Sequence, residues 1–366
     1  MPPPRESSVR RRMVAAMKVL FLVHGMGIHQ AGWADYAIRK LDEVAGRYPQ
    51  IAPVRPISAK LRIEQLVYDQ VFRGQVTSWG ESANALEQFA QQYQVAVPDV
   101  FTWLRAASQT EVNYFWTHFV DVLLYRFFPL IRQQVRTQVM HDLANALTPL
   151  MAGGEVVDAT VLGYSLGTAV AHDALADLAS RPLDGSVAFN AGSFRFENVI
   201  MVANVGKILE TDYGVYASKV HPITPSTPDG YCGRYLNFRN VYDPFPWPAP
   251  FRPLWPERYF KTVDDLAYAH QFNTHALEHY LDHPAVHLPI LQALFGPQVP
   301  PAEMQRAIHD YDPYPLVTRC RAAFEGFRAT VDGLKQELEQ HPEPSRLITV
   351  GARFLAAAQE AAGACA

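Results

Sequence analysis

Apolar residues along this chain fall into two kinds of pattern. Short runs rich in Val, Ile, Leu and Phe predict buried strands at Met17 to Val23 (MKVLFLV), in the VVDATVL of Val156 to Leu162, at Asn198 to Val205 (NVIMVANV) and at Tyr235 to Val241 (YLNFRNV). A further strand region is expected between Ile57 and Val71. Longer stretches with apolar residues three and four apart predict helices. One follows the first strand, with Trp33, Tyr36, Ala37, Leu41 and Val44 on its inner face. Others follow residue 165 and occupy Leu316 to Leu338 and Leu347 to Ala362. Val263 to Leu281 also reads as helical. Strands that alternate with helices, and are apolar almost throughout, predict an α/β fold with a mostly parallel sheet flanked by helices.

Three segments break that rhythm. From Glu81 to about Leu147 the pattern is helical and aromatic, with Phe101, Trp103, Tyr114, Phe115, Trp116, Phe119 and Tyr125. It reads as a helical insertion before the strand at Val156, its aromatic stripe serving as core. Phe245 to Phe260 (FPWPAPFRPLWPERYF) holds too many prolines for a helix and is expected to form a rim or lid. Residues 1–16, with Pro2-Pro3-Pro4 and Arg10-Arg11-Arg12, read as a flexible tail. The apolar run after them carries Lys18 and passes straight into His24-Gly25 without a small-residue cleavage site, so a strand is expected there, not a signal peptide.

Composition acts by exclusion. The 366 residues suit one large α/β domain with additions, and 49% hydrophobic with 19% charged residues is a globular balance. A net charge of -4 gives no electrostatic reason to expect nucleic acid. Three distant cysteines, Cys232, Cys320 and Cys365, show neither a disulfide framework nor metal-ligand spacing, which points to a reducing, cytoplasmic compartment. The most apolar long stretch, Val112 to Phe128, is interrupted by His118, Asp121 and Arg126, so no membrane span is expected. Contact of Phe115 to Phe128 with a membrane surface is a further reading.

The chemistry concentrates in Glu155 to Leu178, EVVDATVLGYSLGTAVAHDALADL, where Gly163-Tyr164-Ser165-Leu166-Gly167 joins a strand to an Ala-rich helix. G-x-S-x-G in that setting is a nucleophile elbow. The tight turn lifts the serine hydroxyl clear of the sheet and sets it at a helix N-terminus, where free amides and the dipole favour negative charge. His24-Gly25-Met26-Gly27 follows the first strand in the same way. Such a loop supplies one oxyanion donor and the residue after the nucleophile supplies the other: here Met26 (or Gly27) and Leu166.

Serine needs a base to take its proton and an acid to orient that base, in the chain order Ser, Asp or Glu, His. Asp243 follows a strand and precedes Pro244, which holds it extended at the strand tip. Asp173, Asp212, Asp264 and Asp265 lie in helical or loop sequence and are weaker candidates. His275 opens a loop-to-helix junction in NTHALEHYL and is the favoured base. His279, one turn later, and His270, just before, are the alternatives. His24 and His29 precede the serine and are expected to shape the oxyanion loop. His279, His283 and His287 have the spacing of one helical face, yet Pro284 interrupts it and Asp282 is its one carboxylate, so no metal is expected.

On Val23 to Gly27, Gly163 to Thr168, Asp243-Pro244 and the NTHALEHYL segment, the chain resembles serine hydrolases of the α/β-hydrolase superfamily. It is most similar to bacterial lipase- and esterase-like proteins that open with V-H-G-M-G and carry G-[HY]-S-L-G-T, with Tyr164 here where His is commoner. The resemblance spans about Lys18 to Leu281 and implies an α/β-hydrolase domain over residues 17–290, including the helical insertion at about 81–147. A C-terminal helical extension, 291–366, is expected to pack on the same domain. Also implied is acyl-enzyme chemistry on a carboxylic ester, with Ser165, His275 and Asp243 as triad, Met26 and Leu166 as oxyanion donors, and no cofactor. Aromatic and proline residues near the expected rim favour an apolar small-molecule ester. The same triad serves acyltransferases, thioesterases and phospholipases, and a scaffold without catalysis that binds a protein or membrane is a reading of another class.

Overall fold

In the computed structural model the described residues are 16–27, 29–74, 125–126, 129–180, 189–210, 214–243, 245–246, 250–268, 273–311 and 315–340, with 350, 353, 357 and 360. Residues 1–15 of the expected tail, the aromatic stretch 101–124, most of the helix expected over 347–362, Pro244, Asp212 and His270 lie outside them.

Among the described residues, β1 (Met17–Val23), β2 (Arg62–Leu66), β3 (Val157–Tyr164), β4 (Phe196–Val202), β5 (Cys232–Asn240) and β6 (Phe260–Leu266) form one sheet in the order β2-β1-β3-β4-β5-β6. Every pairing is parallel. The helices are α1 (Asp35–Ala45), α2 (Pro129–Ala152), α3 (Leu166–Ser180), α4 (Leu277–Asp282), α5 (Pro284–Phe295), α6 (Pro301–Asp310) and α7 (Pro315–Gln340).

Strand β1 shows why its sequence is apolar throughout. Val19, Phe21 and Val23 join a buried layer with Val135, Leu143 and Leu147 of α2 and Val170 and Leu175 of α3. Leu20 and Leu22 point the other way, into a layer with Leu41 of α1, Leu281 of α4 and Leu291 of α5. Both faces of the pleat are thus covered by helices. Helix α5 runs through residue 290, and Ile290, Leu291 and Leu294 share the layer of Leu20. No helix among the described residues is long and apolar enough to cross a membrane.

Two elements differ from the sequence expectation. Residues 260–266 are strand β6 at the sheet edge, and the helical pattern begins only at Leu277. Phe238 pairs with Val263 but Asn240 with Leu266, so β6 carries an extra residue. Such a bulge breaks the alternation by which a strand is read, and between buried Phe260 and Leu266 no residue of β6 is fully buried, so no period of two survives. In the region Ile57 to Val71, only Arg62–Leu66 is strand, flanked by a short helical turn at Ile57–Ala59 and another at 69–74. As an edge strand, β2 pairs with the five β1 residues Val19 to Val23 and ends where they end.

The register aligns the C-terminal strand ends. Val23 pairs with Gly163, and Tyr164 with Val202. The loops after β1, β3 and β4 therefore emerge side by side, which is where ligands meet a parallel sheet.

Candidate active site

Ser165 is the one residue between β3 and α3, and its φ is 56°. A non-glycine residue there is strained and must be held by its surroundings. Its amide donates to the Val202 carbonyl (3.0 Å), and its own carbonyl accepts from the Thr168 amide (2.9 Å) and hydroxyl (2.7 Å). A Cβ on Gly167 would overlap the carbonyl oxygens of Val23 and His24, so only glycine lets α3 pass this close to the end of β1.

The base and acid arrive from the other end of the sheet. His275 lies between β6 and α4, and its Nε2 is 2.7 Å from Ser165 Oγ. Its Nδ1 is 2.9 and 3.0 Å from the two oxygens of Asp243, three residues past β5. All three groups are buried: Ser165 is 1% exposed, Asp243 0% and His275 8%. Asp243 also accepts the Phe245 amide (3.1 Å) and the Tyr280 hydroxyl (2.7 Å). A carboxylate surrounded by donors accepts from Nδ1–H as well, which leaves the Nε2 lone pair facing the serine hydroxyl. Two side chains fasten the histidine segment: Tyr164 donates to the His275 carbonyl (2.7 Å) and Thr274 to the Tyr242 carbonyl (2.8 Å). The Phe245 ring lies 4.2 Å from the His275 ring.

The other candidates have different neighbours. His279 stacks on Tyr268 at 4.3 Å. Asp264 pairs with Arg252 (2.6 Å), and Asp265 is exposed on β6. Asp173 bonds His172. The residues with helical metal spacing do not share a helix face, because His283 is the junction between α4 and α5. His283 accepts the Ala285 amide (3.0 Å), and His287 bonds the Leu281 carbonyl (2.9 Å) and Tyr48 (2.8 Å). Among the described residues, no group of three His, Cys, Asp or Glu side chains could hold a metal ion.

The loop after β1 is fixed by its own histidines. Tyr68 donates its amide to His24 Nε2 (3.1 Å), so the ring proton is on Nδ1 and goes to the Gly25 carbonyl (2.7 Å). Burial, then the neighbouring His29, hold His24 well below its ordinary pKa, so it is neutral. The Tyr68 hydroxyl bonds the His24 carbonyl (2.6 Å) and His29 Nε2 lies 3.0 Å from the Met26 carbonyl. A Cβ on Gly25 would stand 2.8 Å from Ser165 Cβ, so this backbone passes directly against the serine. Leu166 is the first residue of α3, and Met26 is 5% exposed within the loop.

Among the described residues of the expected rim, Phe245 lies on the histidine. Phe251 stacks on Tyr235 at 5.3 Å, and Trp255 lies 5.1 Å from the same ring, so both are built into the hydrophobic layer. Reading the sequence missed Tyr68, Tyr164 as a strap, and Tyr280. It also missed a second polar set: His172 Nε2 lies 2.8 Å from Ser218 Oγ, its Nδ1 lies 3.2 Å from Asp173, and the Tyr125 hydroxyl donates to Asp173 (2.7 Å). Comparisons with family models, with curated proteins and with solved structures found no match.

Proposed function

We propose that the chain is a serine hydrolase of the α/β-hydrolase type that cleaves carboxylic esters. The observation that carries this reading is the continuous hydrogen-bonded relay from Ser165 through His275 to Asp243, beginning at a strained residue between a strand and a helix. The parallel order β2-β1-β3-β4-β5-β6, with acid after β5 and base after β6, supports that fold assignment. A scaffold without catalysis has no need of the 2.7 Å contact between Ser165 and His275.

In this reading Ser165 Oγ attacks the ester carbonyl carbon as its proton passes to His275 Nε2. Asp243 holds the ring and balances the imidazolium charge. The carbonyl oxygen becomes an oxyanion facing the amides of Met26 and Leu166, and α3 lends the positive end of its dipole. The tetrahedral adduct collapses, His275 returns the proton to the departing alcohol, and an acyl-serine remains. Water, deprotonated by the same His275, repeats the addition and releases the carboxylic acid and free Ser165. The relay asks for no metal or cofactor of its own.

The Phe245 ring beside His275 favours an apolar acyl or aryl ester. Acyl transfer and thioester or phospholipid cleavage use the same relay and differ in the acceptor or leaving group.

The test is labelling by a fluorophosphonate probe, on wild type and Ser165→Ala, beside turnover of p-nitrophenyl esters of increasing chain length. Labelling and turnover that vanish together in Ser165→Ala support the assignment, and the chain-length profile sizes the pocket. A folded wild-type chain that takes no label overturns it.

A further inference from the structure

We infer that Tyr280 is a positioning residue for the acid of the relay, setting how strongly Asp243 holds His275. The inference rests on the serine hydrolase reading. Its carrier is an unambiguous proton assignment. The Asn240 amide, which can only donate, points at the Tyr280 oxygen at 2.9 Å. The one phenolic proton is then free for Asp243 Oδ2, at 2.7 Å. The same Oδ2 accepts from His275 Nδ1 at 2.9 Å, so two donors share one oxygen.

The geometry leaves Tyr280 little choice. Its side chain is fully buried on α4, and α4 packs against α1, so the ring cannot swing away without opening the core. Asn240 is the last residue of β5, and Asp243 turns back beneath it with its own amide donating to the Asn240 carbonyl (3.1 Å). Tyr280 thus ties the strand end, the acid and the helix after the base into one unit. Burial, then the Asp243 charge, push the phenol well above its ordinary pKa, so it stays protonated and remains a donor.

The ionisable groups facing this unit come from four places. They are Tyr164 at the elbow, His275 ahead of α4, Tyr268 after β6 and Arg239 on β5. None of the others donates to Oδ2 in the described residues except His275. A donor shared on one carboxylate oxygen draws charge away from the other bond. Removing Tyr280's hydroxyl therefore strengthens the hold of Asp243 on the protonated imidazole and disfavours the free base that Ser165 requires.

The experiment compares the pH dependence of kcat/KM on p-nitrophenyl butyrate for wild type, Tyr280→Phe and Tyr268→Phe. Tyr268 is an equally buried phenol that donates to the His279 carbonyl (2.8 Å), so it controls for lost packing and stability. The expected result is an acidic limb moved to higher pH by roughly half a unit in Tyr280→Phe alone. With it, kcat should fall about tenfold while KM changes less than about twofold. If Tyr280→Phe does not fold, 3-fluorotyrosine placed at position 280 keeps the ring and makes a stronger donor, and the acidic limb should move the opposite way. An acidic limb that stays fixed in the folded variant, or moves equally in Tyr268→Phe, overturns the inference. Fluorophosphonate labelling of wild type at Ser165 accompanies these assays, so a failure of the hydrolase reading is seen separately.

Discussion

The described residues hold two Ser–His–Asp arrangements whose hydrogen bonds are nearly interchangeable. Ser165, His275 and Asp243 meet at 2.7 and 2.9 Å; Ser218, His172 and Asp173 meet at 2.8 and 3.2 Å. Each aspartate even accepts a tyrosine hydroxyl at 2.7 Å, from Tyr280 and Tyr125 respectively. What separates them is the backbone. Ser165 has a φ of 56° and opens α3, with a loop pressed against it. Ser218 sits in a turn that starts no helix, and its oxygen accepts the Val220 amide (3.2 Å). His172 and Asp173 are adjacent within α3, where neighbours in sequence diverge around the helix. A string of hydrogen bonds therefore does not make a nucleophile; a place for the developing oxyanion must stand beside it.

The sharpest way to break this contrast is to remove each serine hydroxyl in turn. Ser165→Ala should lose about 10⁴-fold or more in kcat/KM on p-nitrophenyl esters. Ser218→Ala should stay within about twofold of wild type in the same assay. Equal losses would mean that the second set takes part in the chemistry.

Next in size is the loop that only the first set possesses. Gly25→Ala places a methyl against Ser165 Cβ and should cost about 10²- to 10³-fold in kcat, the range for a lost oxyanion donor. Burst kinetics with p-nitrophenyl acetate would show whether acylation is the step that slows.

Acid sensitivity of the frame can be separated from both sets through His287. Burial lowers its pKa from 6.5 to about 4. Between those pH values the unfolded chain binds the extra proton, so stability is present above about 6.5 and falls as pH drops toward 4, by on the order of 3 kcal/mol in full. Urea midpoints for His287→Gln, at about pH 4.5 and pH 7, should differ less than those of wild type.

The second set should show its worth as stability. Ser218→Ala leaves His172 Nε2 without its 2.8 Å partner and should cost about 1–2 kcal/mol by urea denaturation. Smallest is Tyr164→Phe, which frees the His275 carbonyl and should lower kcat several-fold, about 1 kcal/mol.

Much of this arrangement is legible in the sequence. The apolar run of β1 is unbroken because helix layers cover both of its faces, and Gly163 and Gly167 mark a turn with no room for a Cβ at either position. Asp243 was marked by its proline and His275 by its loop. Strand β6 was misread because its bulge erases the period of two. The Ser218 set could not be read, since its hydroxyl comes from a turn 46 residues beyond His172 with no local pattern to mark it. Tyr280 was hidden for the same reason: its partner, Asp243, lies 37 residues earlier.

The bulged edge strand has a mechanical consequence. The nucleophile stands in the middle of the sheet, between β1 and β4, whereas the acid and base follow β5 and β6, and among the described residues β6 is bonded along one side only. Ladder bonds at such a margin open before those of interior strands, on the spectrum of local unfolding that hydrogen exchange resolves. Fraying at β6 would break the bond from the Val241 amide to the Leu266 carbonyl (2.6 Å), two residues ahead of Asp243, and loosen the acid's end of the relay while β1, β3 and β4 remain paired. Rising urea should therefore silence esterase turnover before it diminishes far-UV circular dichroism, and amides of 261–266 should exchange ahead of those in 158–163.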